Sequence, residues 1–225
     1  MKGEWTLAID LAVSTVSFAL RPDPRTGRAT LWLPLVRRIR EPYEGRWALP
    51  GGPLRPDEDL ATSARSTLAR TTGLAPRYLE QLYSFGAVDR SAGPDRVVSI
   101  VYWALVRPSE DARAVDGENV EWFVADEVPG PLAFDHDAIV RYALDRLRAK
   151  LTYSPIAHNF LPDTFTLAEL REVHEAVLGR PLDPANFRRQ VLAGRTIEPT
   201  GTSLQGTSHR PPALYRVATP VRSQA

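Results

Sequence analysis

The sequence predicts an α+β protein of two domains, the first built on a mixed β-sheet and the second a winged helix-turn-helix. Up to about residue 150, apolar runs of β type alternate with helical patterns. The next stretch contains Pro155 and Pro162 and no periodic pattern, which is typical of a linker. Two short helical patterns and two strand-like runs follow it. We therefore predict domains at residues 1–150 and 164–225, with a linker at residues 151–163.

The first domain begins with two runs that predict a β-hairpin. Trp5–Leu20 and Ala29–Val36 are rich in aliphatic and β-branched side chains, and a turn rich in Pro, Asp and Gly separates them. Apolar residues then recur at helical spacing over Asp59–Thr71, and Gly73 stands where a C-cap belongs. The other predicted elements are strands at Tyr78–Phe85, Val97–Val106 and Val120–Val124, and a helix capped by Asp135 or Asp137 that ends near Lys150.

The second domain has the local signals of two helices followed by a β-wing. Thr166 and Glu169 form a capping-box pattern at the start of an amphipathic run. Asp183 followed by Pro184 marks the start of a second short helix after a tight turn. Residues 195–217 contain two strand-like runs around a loop of small and polar residues. This order predicts a helix-turn-helix with a wing.

The composition excludes several classes of chemistry. The chain has no cysteine, so disulfides, thiolate metal sites and cysteine nucleophiles are excluded. No apolar stretch approaches the roughly 20 residues that a membrane-spanning helix needs. The first four residues do not open a secretion signal. We therefore expect a cytoplasmic protein without a membrane partner.

The charge is unevenly distributed although the net charge is only +1. From Ala185 to Ala225 there are six arginines against one acidic residue, Glu198. Such a local excess of positive charge suits a surface that faces a polyanion. On charge alone, a solvated basic tail is an equally open interpretation.

The segment from Gly52 to Leu74 resembles the Nudix signature, G-x5-E-x7-R-E-U-x-E-E-x-G-U, in which U is aliphatic. Gly52, Glu58, Leu68, Gly73 and Leu74 match the glycine, first glutamate and aliphatic positions of that pattern. The preceding segment up to Gly52 resembles Nudix proteins that act on ADP-ribose. The resemblance implies a Nudix-type α/β/α sandwich with a mixed sheet over residues 1–150.

The catalytic half of the signature does not match. Ser66 and Thr67 stand where the family has Arg-Glu, and Arg70 and Thr71 stand where it has the Glu-Glu pair. In the family those glutamates share one helix face and hold Mg²⁺ against a pyrophosphate. Glu58 alone is a poor site for a hard cation. We therefore predict no catalytic residue, no metal site and no enzymatic hydrolysis by the family mechanism.

The surviving loop predicts a domain that binds a nucleotide. A guanidinium can clamp phosphate and an aromatic face can stack on adenine. Arg70 is hypothesised to replace the charge of the missing metal; an ordinary solvent-facing role is the open alternative. The predicted ligand-binding residues are Arg37, Arg38, Tyr43, Trp47, Gly51, Gly52, Glu58 and Arg70.

A Nudix-like domain followed by a winged helix resembles the Nudix-related transcriptional regulators of NAD metabolism, the NrtR family. Gln81–Arg90, Arg96–Ser99, Phe134–His136 and Tyr153–Pro155 carry further resemblance. At Ser91–Asp95 the chain departs from the family, which tends to Asp-Pro-Arg after the residue corresponding to Arg90. The resemblance implies a homodimer that represses genes of NAD synthesis or salvage. It also implies that ADP-ribose or a related nucleotide is an effector ligand rather than a cofactor.

The second helix of the predicted winged helix is expected to read double-stranded operator DNA. The N-terminal part of such a helix approaches the major groove, where Asn and Gln suit adenine and Arg suits guanine. Hydroxyl groups and the wing suit phosphate and minor-groove contacts. The predicted DNA-binding residues are Asn186, Arg188, Arg189, Gln190, Arg195, Thr202, His209 and Arg210.

The four histidines show no metal-ligand spacing. His174 lies on an apolar helical stripe and is expected to be a core residue with its hydrogen bonds satisfied. His136 follows a predicted helix cap and is expected to shape the edge of the nucleotide domain.

Two alternatives remain open. One is an active Nudix hydrolase, an ADP-ribose pyrophosphatase that recruits its metal through carboxylates such as Glu118 or Glu121. The other is a nucleotide-sensing module whose second domain binds a protein instead of DNA.

Overall fold

The computed structural model describes residues 9–90, 96–112, 114, 119–204 and 211–218 of the 225-residue chain. The chain divides into two compact units. One unit, here called the sheet unit, contains the chain up to Ala19 together with Leu31–Asp145. The other, the winged-helix unit, contains Leu20–Thr30 and the chain from Arg146 onward. The division therefore falls inside the last helix of the predicted first domain, and the hairpin tip belongs to the second unit.

The predicted strands and helices of the first domain are confirmed to within two residues, and residues 5–8 of the first predicted strand lie outside the described residues. Short strands after the second long strand and a short helix before the last strand are additions to the prediction. In chain order the elements are β1 (Ile9–Pro22), β2 (Ala29–Arg37), β3 (Trp47–Ala48), β4 (Gly51–Pro53), α1 (Leu60–Thr72), β5 (Tyr78–Phe85), β6 (Arg96–Val106), α2 (Pro108–Asp111), β7 (Val120–Val124) and α3 (His136–Lys150).

A mixed β-sheet forms the centre of the sheet unit, as predicted. The strand order is β3-β2-β1-β6-β5, with β4 paired to β1 and β7 paired to β2. β1 and β6 run parallel, whereas β5 pairs antiparallel to β6 and β7 pairs antiparallel to β2. Residues 13–19 of β1 are all buried, because a central strand of a sheet with both faces covered has no solvent side.

Helix α1 packs its apolar side into the core, and both of its ends are capped. Ala64 and Leu68 are fully buried. The Asp59 carboxylate accepts the Thr62 N–H at 2.8 Å, and Gly73 ends the helix with a φ of 72°. These caps fix the helix within the signature segment, with its apolar stripe against the sheet.

The prediction that Asp135 or Asp137 caps α3 is wrong as regards the side chains. The Asp135 carboxylate binds Arg90, while the Asp135 carbonyl accepts the N–H groups of Ala138 and Ile139. The Asp137 carboxylate accepts the Leu132 N–H, which lies before the helix. The helix therefore starts at the predicted place, but neither carboxylate caps it. The Asp135 carboxylate binds the distant Arg90, and the Asp137 carboxylate binds the loop before the helix.

The winged-helix unit has the predicted order of helices and strands. The Thr166–Glu169 capping box is present, and the Asp183 carboxylate accepts the Asn186 N–H at 2.8 Å. The bounds are α4 (Leu167–Leu178), α5 (Pro184–Ala193), β8 (Ile197–Ser203) and β9 (Ala213–Val217). β8 and β9 pair antiparallel and form the base of the wing.

The predicted linker at residues 151–163 is wrong, since part of it is packed structure. Ile156–Phe160 forms a 3₁₀ helix, in which Ile156 and Phe160 are buried. The His158 ring stacks on Phe165 at 5.3 Å. A 3₁₀ helix of five residues gives no 3.6-residue period, so the prolines were the only visible signal. Within the described residues, no helix combines the length and apolar character needed to cross a bilayer.

Candidate functional site

A cavity of about 230 Å³ opens in the sheet unit, where β1, β4 and the start of α3 meet. Its polar lining comes from Ser14, Arg38, Arg90, Ser99 and His136. Apolar side chains and the backbone of the Gly51–Gly52 segment complete the wall. The cavity thus combines two guanidinium groups and an imidazole with an otherwise largely apolar surface, as ligand sites commonly do.

The close approach of β4 to β1 requires a glycine at position 51. A Cβ atom at Gly51 would lie 2.5 Å from the Ser14 Oγ and 2.9 Å from the Val13 carbonyl oxygen. Neither the strand backbone nor a buried hydroxyl can give way at that distance. Gly51 therefore brings two strands together at the cavity wall.

Arg90 is held rigidly at the back of the cavity. Its side chain is 4% exposed, and its Nε and Nη2 donate to the Asp135 carboxylate at 2.9 and 2.8 Å. Its Nη1 donates to the Ser99 Oγ at 2.8 Å. Among the described residues, these bonds use three of the five guanidinium N–H groups.

His136 is buried and uncharged at neutral pH. Its Nδ1 accepts the Leu49 N–H at 2.9 Å, so the ring carries its proton on Nε2. Burial lowers the pKa of His136 to about 4, and the neighbouring positive charges of Arg90 and Arg38 lower it further against the opposing effect of Asp135. The Nε2–H is thus a fixed neutral donor on a residue that lines the cavity.

An aromatic pair adjoins Arg38. The Arg38 Cζ lies 4.7 Å from the centre of the Phe134 ring, and Tyr43 contacts that ring edge-on at 4.9 Å. The Arg38 Nε also donates to the Pro42 carbonyl at 2.7 Å. Arg38 is therefore positioned by its own loop and by the face of Phe134.

A second, more open cleft of about 640 Å³ continues from the cavity. The two spaces share Ala12, Pro53 and Val97 in their linings. The second cleft adds charged residues of both signs, among them Arg55 and Glu58. Together they form one trough along β1 and β4.

Four of the eight predicted ligand-binding residues line the two spaces: Arg38, Gly51 and Gly52 line the cavity, and Glu58 lines the adjoining cleft. Tyr43 lies outside both linings but contacts Phe134, which lines the cavity. The other three also lie outside both linings. They are Arg37, which donates to the Gly45 carbonyl, Trp47, whose ring contacts Phe123, and Arg70, which is exposed with its Nη2 3.4 Å from the Thr67 Oγ1.

Sequence reasoning missed the polar residues from later in the chain. Arg90, Ser99 and His136 line the cavity, and none of them was predicted to bind a ligand. A signal existed, because all three lie in stretches that carry the family resemblance without an assigned role. The structure shows that those stretches meet around one space.

Polar side chains at positions 66–71 of α1 form hydrogen bonds within the helix. The Thr71 hydroxyl donates to the Thr67 carbonyl at 2.7 Å, and the Ser66 hydroxyl donates to the Ser63 carbonyl at 3.2 Å. Thr67 is buried. In the part of the chain that the structure describes, no three His, Asp or Glu side chains gather in a way that could hold a metal ion.

The second helix of the winged-helix unit presents a polar face to solvent. Phe187 is buried, whereas Asn186, Arg188, Arg189 and Gln190 are all exposed on α5. The Arg189 Nη2 donates to the Asn186 Oδ1. Arg195 and Thr202 are also exposed, while His209 and Arg210 lie outside the described residues.

Models of known protein families match both units of the chain. The NUDIX domain model matches residues 15–143, and the model of the NrtR DNA-binding winged helix domain matches residues 157–217. The fold and site therefore define a transcriptional regulator that joins a Nudix domain to a DNA-binding winged helix.

Similarity over nearly the full length narrows this class to one family. The chain is 31% identical over 216 residues to the ADPR responsive transcriptional repressor NtrR of Acinetobacter baylyi, covering 94% of this chain and 82% of that protein. It is 32% identical to Shewanella oneidensis NrtR in a complex with a 27mer DNA, with a TM-score of 0.76 and coverage of 92% of this chain and 93% of that chain. The Nudix domain of the Shewanella protein, complexed with ADP ribose, is 32% identical over 63% of this chain and 90% of that chain, with a TM-score of 0.52. The chain belongs to the NrtR family.

Removing the Arg90 guanidinium is expected to destabilise the sheet unit. In Arg90→Met the Asp135 carboxylate loses its partner while it remains partly buried, so the free energy of unfolding should fall by about 2–3 kcal/mol. All five tryptophans lie at or before residue 122, so their fluorescence during urea unfolding reports on this unit. The exposed Arg141→Met on α3 is the matched control. Equal stability of the two variants would contradict the structural role of Arg90.

The buried His136 predicts a loss of stability in acid. Its folded pKa of about 4 lies below the ordinary value of 6.5, so the stabilisation is complete above pH 6.5 and is lost as the pH falls toward 4. The loss reaches about 1.4 kcal/mol per pH unit at most. His136→Asn keeps an acceptor for the Leu49 N–H without the titration, so its unfolding should depend less on pH over this range. Identical slopes for both proteins would show that His136 titrates normally.

Proposed function

We propose that the chain represses genes of NAD synthesis or salvage and that its Nudix domain binds ADP-ribose, or a related nucleotide, without hydrolysing it. The observation that carries the proposal is the cavity that places Arg38, Arg90 and the neutral His136 together in a chain that also carries a DNA-binding winged helix. The complexes of relatives with ADP ribose and with DNA support it. In this proposal the nucleotide is an effector and not a cofactor.

The chemistry of the trough suits a dinucleotide-like ligand. Guanidinium groups bind pyrophosphate oxygens through charge-assisted hydrogen bonds, and aromatic rings pack on a base. Arg38 and Arg90 supply the guanidinium groups, and the Phe134 ring lies beside them. A ligand of this size needs a site of several hundred Å³, which the cavity reaches only with the adjoining cleft.

The proposed absence of hydrolysis rests on α1. Mg²⁺ takes carboxylate and water oxygens at short distance, and a pyrophosphatase of this fold needs that metal to neutralise charge at the phosphate. Thr67, Arg70 and Thr71 offer hydroxyls and a cation in place of carboxylates. All three side chains are already engaged within the helix, through the Thr71 hydroxyl and the Arg70–Thr67 contact.

DNA recognition is assigned to α5 together with the exposed Arg195 and Thr202. His209 and Arg210, which lie outside the described residues, follow β8 in the sequence and keep their predicted role. The exposed Asn, Arg and Gln side chains of α5 match the edges of adenine and guanine in the major groove. Winged-helix proteins read two half-sites with two recognition helices, so we propose a homodimer on a two-fold symmetric operator. If the nucleotide alters operator affinity, then operator DNA alters nucleotide affinity by the same factor.

A calorimetric titration with ADP-ribose tests the ligand site. Arg38→Ala removes a charged donor and its packing on Phe134, so its affinity should fall about 10- to 100-fold. Arg40→Ala, an exposed arginine two residues away, is the matched control and should bind like the wild type. An assay for AMP formation from ADP-ribose with Mg²⁺ on the same samples should show no turnover. Steady hydrolysis would favour the enzyme alternative, and unaltered affinity in Arg38→Ala would contradict the site.

A duplex selected by the wild-type chain from a random-sequence library tests DNA recognition. Arg188→Ala should weaken binding by about 1–3 kcal/mol if Arg188 reads a base edge. Exposed Arg146→Ala, on α3, should bind as the wild type does. Binding should also weaken steeply with added salt, because phosphate contacts release counterions. Failure to select any duplex would favour a protein partner for the winged helix.

A further inference from the structure

Helix α3 is shared by the two units of the chain. It belongs to the sheet unit up to Asp145 and to the winged-helix unit from Arg146 onward. The helix is continuous from His136 to Lys150, so His136 and Arg148 belong to one hydrogen-bonded element.

The first end of α3 is part of the ligand cavity. His136, the first helical residue, lines the cavity and accepts the Leu49 N–H. Asp135, directly before it, holds the buried guanidinium of Arg90. A ligand that bonds to Arg90 and His136 therefore acts on the start of the helix itself.

The other end of α3 is bonded to the first helix of the winged helix. The Arg148 Nε donates to the Val177 carbonyl at 3.0 Å. Val177 is the penultimate residue of α4, where backbone carbonyls have no partner within the helix. Arg148 thus fixes the C-terminal end of α4.

The Glu175 carboxylate connects the last turn of α4 to the segment that precedes the recognition helix, α5. The Glu175 Oε1 accepts the Leu182 N–H at 2.8 Å and lies 3.5 Å from the Arg171 Nε. Leu182 precedes Asp183, the N-cap of α5. The last turn of α4 therefore sets where α5 begins.

We infer that α3 is the element that carries ligand occupancy to the DNA-binding helices, and that Arg148 is its positioning residue. This inference rests on the proposed function, because it assumes that a nucleotide bound at the cavity changes operator affinity. The ligand can shift the protein only through contacts that differ between two states. The contacts at Asp135 and His136 supply that difference, and the Arg148–Val177 hydrogen bond transmits it to α4 and α5.

The test measures the coupling factor, which is the ratio of duplex dissociation constants with and without saturating ADP-ribose. Arg148→Met keeps the aliphatic stem and removes the donor, so the factor should fall to within about twofold of one. Its ADP-ribose affinity should stay within about twofold of the wild type, which a general structural defect would not allow. Exposed Arg146→Met on the same helix should keep the wild-type factor. A wild-type coupling factor in Arg148→Met would overturn the inference.

Hydrogen exchange provides a second measurement that needs no DNA. ADP-ribose should change the exchange rates of α4 amides severalfold in the wild-type chain and leave them unchanged in Arg148→Met. The same change in both proteins would overturn the inference even if Arg148→Met had lost duplex binding.

The second shared element, β1, provides the competing route. Asp23→Ala breaks the turn after β1, where the carboxylate accepts the Thr26 N–H at 2.8 Å. Loss of coupling in Asp23→Ala with retention in Arg148→Met would assign the role to β1 and overturn the inference.

Binding measurements on the wild-type chain distinguish failure of the proposed function from failure of this inference. No affinity for ADP-ribose would reject the proposed function itself. Binding of both ADP-ribose and the duplex with a factor of one would leave both binding activities intact and overturn only their coupling.

Discussion

The buried guanidinium of Arg90 is the constraint around which the sheet unit arranges its ligand cavity. An unpaired cation in that position would destabilise the folded protein. Hydrogen bonds to the Asp135 carboxylate and the Ser99 hydroxyl offset this effect. Those bonds join the segment after β5, strand β6 and the start of α3. Because Asp135 lies between Phe134 and His136, the same pair places the aromatic ring and the imidazole at the cavity.

The cavity is organised for binding. Arg90 and His136 are both fixed by hydrogen bonds to protein partners. Such preorganisation lowers the entropic cost of association. The helix that carries the signature segment takes a different part: its apolar side fills the core, and the Thr71 hydroxyl is bonded within the helix. The segment thus keeps its helix and its place in the core.

A regulator of this kind needs its ligand site and its DNA-binding helices to share structure, and two elements belong to both units. β1 contributes Ser14 to the cavity and continues to the hairpin tip of the winged-helix unit, while α3 runs from His136 to Arg148. Of the two, α3 ends in a direct hydrogen bond to a helix of the DNA-binding motif. A strand held by neighbours on both sides has less freedom to move than a helix end that meets the ligand.

By itself the sequence determined the order of elements, several of their caps and the family. Gly73, Thr166 with Glu169, and Asp183 all act as predicted, because a cap depends on residues three or four positions apart. Only the tertiary structure decided which residues form the cavity, since Arg90 meets Asp135 across 45 positions and Leu49 meets His136 across 87. It also packed residues 156–160 where a linker was predicted, and it left Arg70 exposed outside the cavity. Periodicity reports which face of a segment is buried, whereas the partner of a buried polar group is fixed by the fold as a whole.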